Sequence, residues 1–323
     1  MLNRRHVLGA AALLPFAARA QAPAWPQQPV RMIVPFAAGG PTDVPARLVA
    51  EYLGQILPQR IVVENRTGSG VVVGTDLVAK AAKDGQTLLY TTIAHSVLRP
   101  LFPRLPFDPD ADFAPIALVG QVPMVALVNK DIPAQNLQEL IALFRANPGK
   151  YNYASSGNGG AVHLATELFL SMAGGLEVSH VPYRGSSAAM PDVLSGRVAM
   201  IIDVGLGGME YARRGDVRAM AISTLQRTPL APEVPTFAEG GVPGYEAYTW
   251  HMVMAPAGTP GAIITAANAA VNKALENATL IQRLTEQGMQ VVRDSTPASA
   301  TAFLHSEAQK WGAIVRERNI RVN

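Results

Sequence analysis

The chain of 323 residues contains no cysteine, which excludes disulfides, thiolate metal sites and thiol nucleophiles in one step. It also lacks any apolar run long enough to span a bilayer: the stretch from Val7 to Ala18 falls well short of the ~20 residues required, and no later segment qualifies. Internal repeats and low-complexity segments are absent. Ordered catalytic motifs are absent too. No serine sits in G-x-S-x-G, no H-E-x-x-H occurs, and His95, His163, His180, His251 and His305 are scattered without metal-ligand spacing. A hydrolase, the enzyme alternative, needs a nucleophile and base brought together, and nothing in the sequence orders such a pair. His163 is expected in the first turn of a helix and His180 inside a strand, both as structural residues. Nucleotide motifs fail as well, because no glycine-rich turn carries the Lys-Ser/Thr of a P-loop and Gly68-Ser69-Gly70 with Gly74 misses the G-x-G-x-x-G spacing. The expectation is a protein that is not an enzyme and carries no cofactor and no metal.

What is present begins with an export leader: Arg4 and Arg5, the apolar stretch, then Ala18-Arg19-Ala20 as a small-x-small cleavage site, so that residues 1–20 are a signal peptide removed near Ala20/Gln21. The paired arginines before His6-Val7-Leu8 fit either a loose twin-arginine signal or an ordinary secretory one. Removal of Arg4, Arg5 and Arg19 leaves 24 basic residues of the 27, against 24 acidic ones. The mature chain is formally uncharged, which gives no reason to expect nucleic acid or an anionic membrane as partner.

Roughly 300 mature residues bury about three quarters of their unfolded surface and favour two lobes over one. Short β-rich runs alternate with helical ones, the pattern of an α/β architecture with mainly parallel sheets. Strands are expected at 30–34, 61–63 and 87–92, with helices marked by Leu48, Val49, Tyr52, Leu53, Ile56 and Leu57 and by residues 71–82. Five prolines between Pro100 and Pro115 point to an extended surface connection. A second series follows, with helices at 137–146, 163–172 and 187–194 and strands at 151–155, 178–181, 198–203 and 217–222. Beyond a proline- and glycine-rich tract at 228–244, helices are expected at 262–275 and 296–318, the last capped at Ser295 or Thr296 with Pro297 in its first turn. A cleft between lobes is a preferred place for a small ligand.

Two glycine-rich turns join a strand to a helix, one in each half of the chain. Phe36-Ala37-Ala38-Gly39-Gly40-Pro41-Thr42-Asp43 is the first, with Thr42 or Asp43 able to cap the helix; Ser155-Ser156-Gly157-Asn158-Gly159-Gly160 is the second. Amides at a helix N-terminus attract anions, so two such turns facing each other can hold a carboxylate without a basic cluster. Each is also ordinary structural punctuation when taken alone. Arg184 either reads a ligand charge or is a surface arginine, and Asp203 either accepts from a ligand or caps the turn at 205–208.

In order along the chain, Val34-Pro35-Phe36-Ala37-Ala38-Gly39-Gly40 with Thr42-Asp43, Val63-Glu64-Asn65-Arg66, Asp84-Gly85, Tyr153-Ala154-Ser155 with Gly157 and His163-Leu164, His180 to Gly185, Val234-Pro235-Thr236 and Ala255 to Pro260 resemble the receptor family of tripartite tricarboxylate transporters, the Bug or TctC proteins. The resemblance implies a periplasmic-binding-protein fold of type II-like build, two α/β lobes with a ligand cleft between them. It implies lobe 1 at 21–122 plus 223–323 and lobe 2 at 123–222, and an extracytoplasmic, monomeric receptor that passes a small organic carboxylate to a membrane permease. A ligand-sensing partner would use the same clamp. Carried over position by position, the expected ligand-binding residues are Phe36, Ala38, Gly39, Gly40, Thr42, Asp43, Thr92, Ser155, Ser156, Gly157, Asn158, Arg184 and Asp203, with Thr91 beside them. Pro41 departs from the pattern and removes one N–H donor.

Overall fold

The computed structural model describes residues 25–205 and 207–322. The expected leader and its cleavage point lie outside the described residues. The chain opens with a βαβαβ unit: β1 (Val30–Val34), α1 (Asp43–Ile56), β2 (Ile61–Asn65), α2 (Val72–Ala79) and β3 (Thr87–Thr91). β1 runs parallel to both β2 and β3, between them. Its sequence VRMIV is almost wholly apolar because both faces are covered. Val30, Met32 and Val34 enter one core with α1, while Ile33 enters the other.

After a turn of 3-10 helix at Ile93–Val97 and the short α3 (Leu98–Leu101), the chain forms β4 (Phe113–Asn129), a strand of 17 residues that serves two sheets. From Phe113 to Pro123 it pairs antiparallel with β9 (Tyr248–Pro256). From Met124 onward it pairs instead with β7 (Met200–Val204) and β8 (Val217–Ile222). The expected irregular connection across 100–115 is therefore shorter than the proline spacing suggests, with α3 at its start and a strand from Phe113. Pro115 sits inside β4 where the register slips between Pro115 and Ala117. An irregular ladder tolerates a residue without an N–H.

The second series contains α4 (Leu137–Ala146), β5 (Asn152–Ser155), α5 (Ala161–Met172), β6 (Ser179–Pro182), α6 (Ser186–Leu194) and α7 (Met209–Arg213), besides β7 and β8. Here β5 lies parallel to both β6 and β7. The chain finishes with α8 (Gly261–Ala274), α9 (Ala278–Glu286), the two-residue β10 (Gln290–Val291) against β4, and α10 (Pro297–Glu317). One sheet thus runs β2-β1-β3-β9-β4, and the other places β8 and β7 on either side of β4, followed by β5 and β6.

The passages between the sheets meet at one place. The Ser223 hydroxyl donates to the Ala247 carbonyl at 2.5 Å and accepts from the Met124 amide at 2.8 Å. The Gly205 amide donates to the Pro123 carbonyl at 2.7 Å. α10 is capped at Thr296 with a reciprocal bond to Ser299, as expected. It is then anchored by the buried Glu307, whose Oε2 accepts from the indoles of Trp250 and Trp311 at 3.0 and 2.7 Å. Past the end of α10, Arg318 meets Glu167 of α5 at 2.5 Å, tying the C-terminal helix to the second sheet's layer.

Candidate functional site

Strand direction decides where the candidate residues stand. β9 is antiparallel to β3 and to β4, so β4 runs the same way as β1, β2 and β3. β4 leaves the first sheet at Pro123, so the edge it crosses is the one at which β1 and β3 also end. On entering the second sheet it is antiparallel to β7, with Met124 opposite Val204. The C-terminal ends of β7, β5 and β6 therefore point back toward the first sheet. Turn one (36–43), the end of β3 with Thr91 and Thr92, turn two (155–160), the loop around Arg184 and the end of β7 with Asp203 all stand on these two facing edges. Ligands of open α/β sheets bind outside the carboxyl ends of strands.

Turn one is built around Asp43, which is 1% exposed. Its carboxylate accepts from the Gly39 amide, the Arg47 guanidinium and the Asn65 carboxamide, each at 2.8 Å. Burial pushes this carboxyl upward, but the bonds from Arg47, Gly39 and Asn65 together hold it below its usual range. Asn65 donates also to the Phe36 carbonyl at 3.0 Å, so the end of β2 clamps both ends of the turn. Asp43 acts as the brace of the loop. Thr42, in helical conformation, makes no capping bond with its side chain, and the expected cap is supplied by neither of the two in the ordinary way.

The glycines of turn one do not present their own amides. Gly39, at φ +75°, gives its N–H to Asp43, and Gly40 gives its N–H to the Ala37 carbonyl at 3.3 Å. The positive φ of Gly39 is a backbone conformation that glycine adopts without strain. Among the described residues, the Ala37, Ala38 and Thr42 amides have no protein acceptor. Phe36 is half-buried and Ala38 exposed.

Turn two has the same logic with different supports. Gly157 donates to the Ser155 hydroxyl at 3.2 Å, Gly159 to Nδ1 of His163 at 3.0 Å, and Gly160 to the Gly157 carbonyl at 3.2 Å. The Ser156 and Asn158 amides, between them, have no acceptor among the described residues. Ser155 is buried, with its Oγ 2.6 Å from Nε2 of His180. Asn158 and Arg184 are exposed.

Asp203 is 9% exposed. Burial pushes its carboxyl up, partly offset by bonds from the Ser186 hydroxyl and the Val204 amide. Thr92 accepts from the Ala94 amide at 3.5 Å and starts the 3-10 turn, whereas the fully buried Thr91 hydroxyl has no partner among the described residues. Asn65 is a support of turn one that is absent from the expected site residues, and no local pattern links it to Asp43, 22 positions away. Surface grooves of about 540 and 350 Å³ run along α10, and none of the expected site residues lines either. No described helix is long and apolar enough to cross a membrane, and no group of three or more metal-binding side chains occurs among the described residues.

Two α/β layers joined by a shared strand, with glycine-rich turns on facing strand ends, define a solute-binding protein of the periplasmic type. The receptor family of tripartite tricarboxylate transporters matches residues 45–320, and the chain belongs to it. BugT of Bordetella pertussis is 39% identical over 308 residues, covering 95% of this chain and 94% of that protein. A UPF0065 protein from the tcbD-tcbE intergenic region of Pseudomonas sp. strain P51 is 38% identical, covering 100% of this chain and 96% of that protein. Among solved structures, an adipate-bound protein of R. palustris has a TM-score of 0.80 at 33% identity, over 93% of this chain and 100% of that one. MatC from Rhodopseudomonas palustris, solved with bound malate, has a TM-score of 0.77 at 33% identity, over 90% and 100%. The chain is a solute-binding receptor of the TctC/Bug type, with a mixed α/β fold.

Proposed function

We propose that the protein captures a small organic carboxylate in the cleft between two lobes, 21–122 plus 223–323 and 123–222, and delivers it to a tripartite tricarboxylate transporter permease from the periplasm. One observation carries the reading: the Ala37, Ala38 and Thr42 amides on one edge and the Ser156 and Asn158 amides on the facing edge have no protein acceptor among the described residues. Amide donors grouped at helix N-termini suit a carboxylate and need no basic side chain. The adipate and malate bound by two neighbours of similar fold supply the substrate class. Arg184, exposed at the rim, adds at most long-range attraction, and Asp203 accepts from a ligand hydroxyl.

A thermal-shift screen followed by calorimetry over adipate, malate and other small carboxylates tests this. A true ligand at 100 times its dissociation constant stabilises the fold by about 2.7 kcal/mol, and the titration gives one site per chain. Absence of any shift across the series, with a control amine series equally silent, contradicts carboxylate capture.

A further inference from the structure

Behind turn two lies a buried cluster that the binding reading does not use. His163 and His180 stack with ring centroids 3.9 Å apart and planes 19° apart, and Tyr153 stacks on His180 at 4.9 Å. Strand register produces this arrangement, because Tyr153 and His180 are direct partners in the parallel pair of β5 and β6. His163 comes from the first turn of α5. The Tyr153 hydroxyl donates to Glu167, which is paired with Arg318.

Each imidazole holds one side of turn two. Nδ1 of His163 accepts the Gly159 amide at 3.0 Å. Nε2 of His180 shares a hydrogen bond of 2.6 Å with the Ser155 hydroxyl, which in turn accepts the Gly157 amide at 3.2 Å. Amides 157 and 159 are thereby drawn into the protein, and amides 156 and 158 are left for a ligand. A ring that carries a proton on Nδ1 cannot accept the Gly159 amide. Burial lowers the pKa of His163 to about 3, with the neighbouring His180 contributing, and burial lowers that of His180 as well. His163 therefore remains neutral at physiological pH, as accepting the Gly159 amide requires.

We infer that His163 and His180 are positioning residues of the ligand site: the stacked pair fixes the alternation of inward and outward amides in turn two and so selects Ser156 and Asn158 as the donors. The consequence for affinity rests on the carboxylate reading above. The hold on the turn itself does not.

The two parts are separable by experiment. His163→Phe and His180→Phe keep a stacked ring and remove the polar atom; His163→Asn returns an acceptor near the Nδ1 position, and His180→Gln returns a polar atom near Nε2. Amide hydrogen exchange read at single residues by NMR reports the turn without ligand, and calorimetry with adipate and malate reports binding. Loss of one such bond is expected to speed exchange at Gly159 in His163→Phe, and at Gly157 in His180→Phe, by about tenfold, with a similar loss of carboxylate affinity. His163→Asn and His180→Gln should return both readings to near the parent's. A purely structural role predicts no such split between the Phe and amide variants at equal melting temperature. If both Phe variants exchange and bind like the parent, or if the amide variants are as impaired as the Phe variants, the inference is overturned. Should the parent bind neither carboxylate, the functional reading fails by itself and the exchange rates alone decide the role of the histidines.

Discussion

Asp43 and Asp203 are both buried carboxylates near the facing edges, and their surroundings give them opposite tendencies. Asp43 accepts three donors from three different segments, so its removal strands the Gly39 and Asn65 donors together. Bonds to a charged acceptor contribute about 1.5–3 kcal/mol each where the donor is left unpaired. Asp43→Ala should therefore cost about 2 to 3 kcal/mol of stability by chemical denaturation, and Asn65→Ala somewhat less. The double variant should cost clearly less than the sum, because the two share one network; additive losses would show that they act separately. Asp203 has its folded pKa raised above the ordinary 3.8 by burial. A raised acid pKa means that the folded state binds the proton more tightly, so its contribution is fully present below the unfolded value and is lost as pH rises through the folded one. Asp203→Asn should then raise the ligand-free melting temperature at pH 7 by about 2 °C or more, a gap that shrinks as pH is lowered toward 4. A variant less stable at pH 7 would mean that the bonds from Ser186 and Val204 outweigh the burial.

The end of β1, just before turn one, is packed closely against α2. Gly74, in the first turn of that helix, lies so close to the preceding loops that a Cβ there would stand 2.5 Å from the Arg66 carbonyl and 2.9 Å from Cβ of Pro35. Neither neighbour is the free end of a flexible side chain. Gly74→Ala should force α2 away from the end of β1 and destabilise the protein by about 1–3 kcal/mol, which equilibrium denaturation measures; an unchanged midpoint would show that the helix shifts freely. The elements that the sequence made legible are those whose signal is local. The apolar run of β1, the amphipathic face of α4 and the Thr296 cap of α10 each appear where residue pattern places them. β4 and β9 were not legible. β4 carries Pro115, Gly120 and Pro123 within 17 residues, which reads as a break, yet the prolines fall where the register slips or the strand changes sheets. β9 adjoins a proline- and glycine-rich tract, and its partners β3 and β4 come from more than a hundred positions earlier.

At the scale of the molecule, the shared strand gives the two turns their relation. Because β4 passes out of one sheet and into the other, parallel strands in both sheets end at the same junction, and residues near 40 and near 157 stand on facing edges. The sequence pointed to both turns, since glycine between a strand and a helix is a local signal. It did not reveal that the Gly39 and Gly40 amides are taken up by Asp43 and Ala37 while those of Ala37, Ala38 and Thr42 keep no acceptor among the described residues, because that depends on the carboxylate of Asp43 and the carboxamide of Asn65. The division of amides between support and recognition is the central claim. Its most direct test is a titration of isotopically labelled protein with adipate and then with malate, followed residue by residue through the amide resonances. Saturable shifts largest at Ala37, Ala38, Thr42, Ser156 and Asn158, on both sides of the junction, are the predicted result; shifts confined to one edge, or centred on the grooves along α10 near His305, would contradict it.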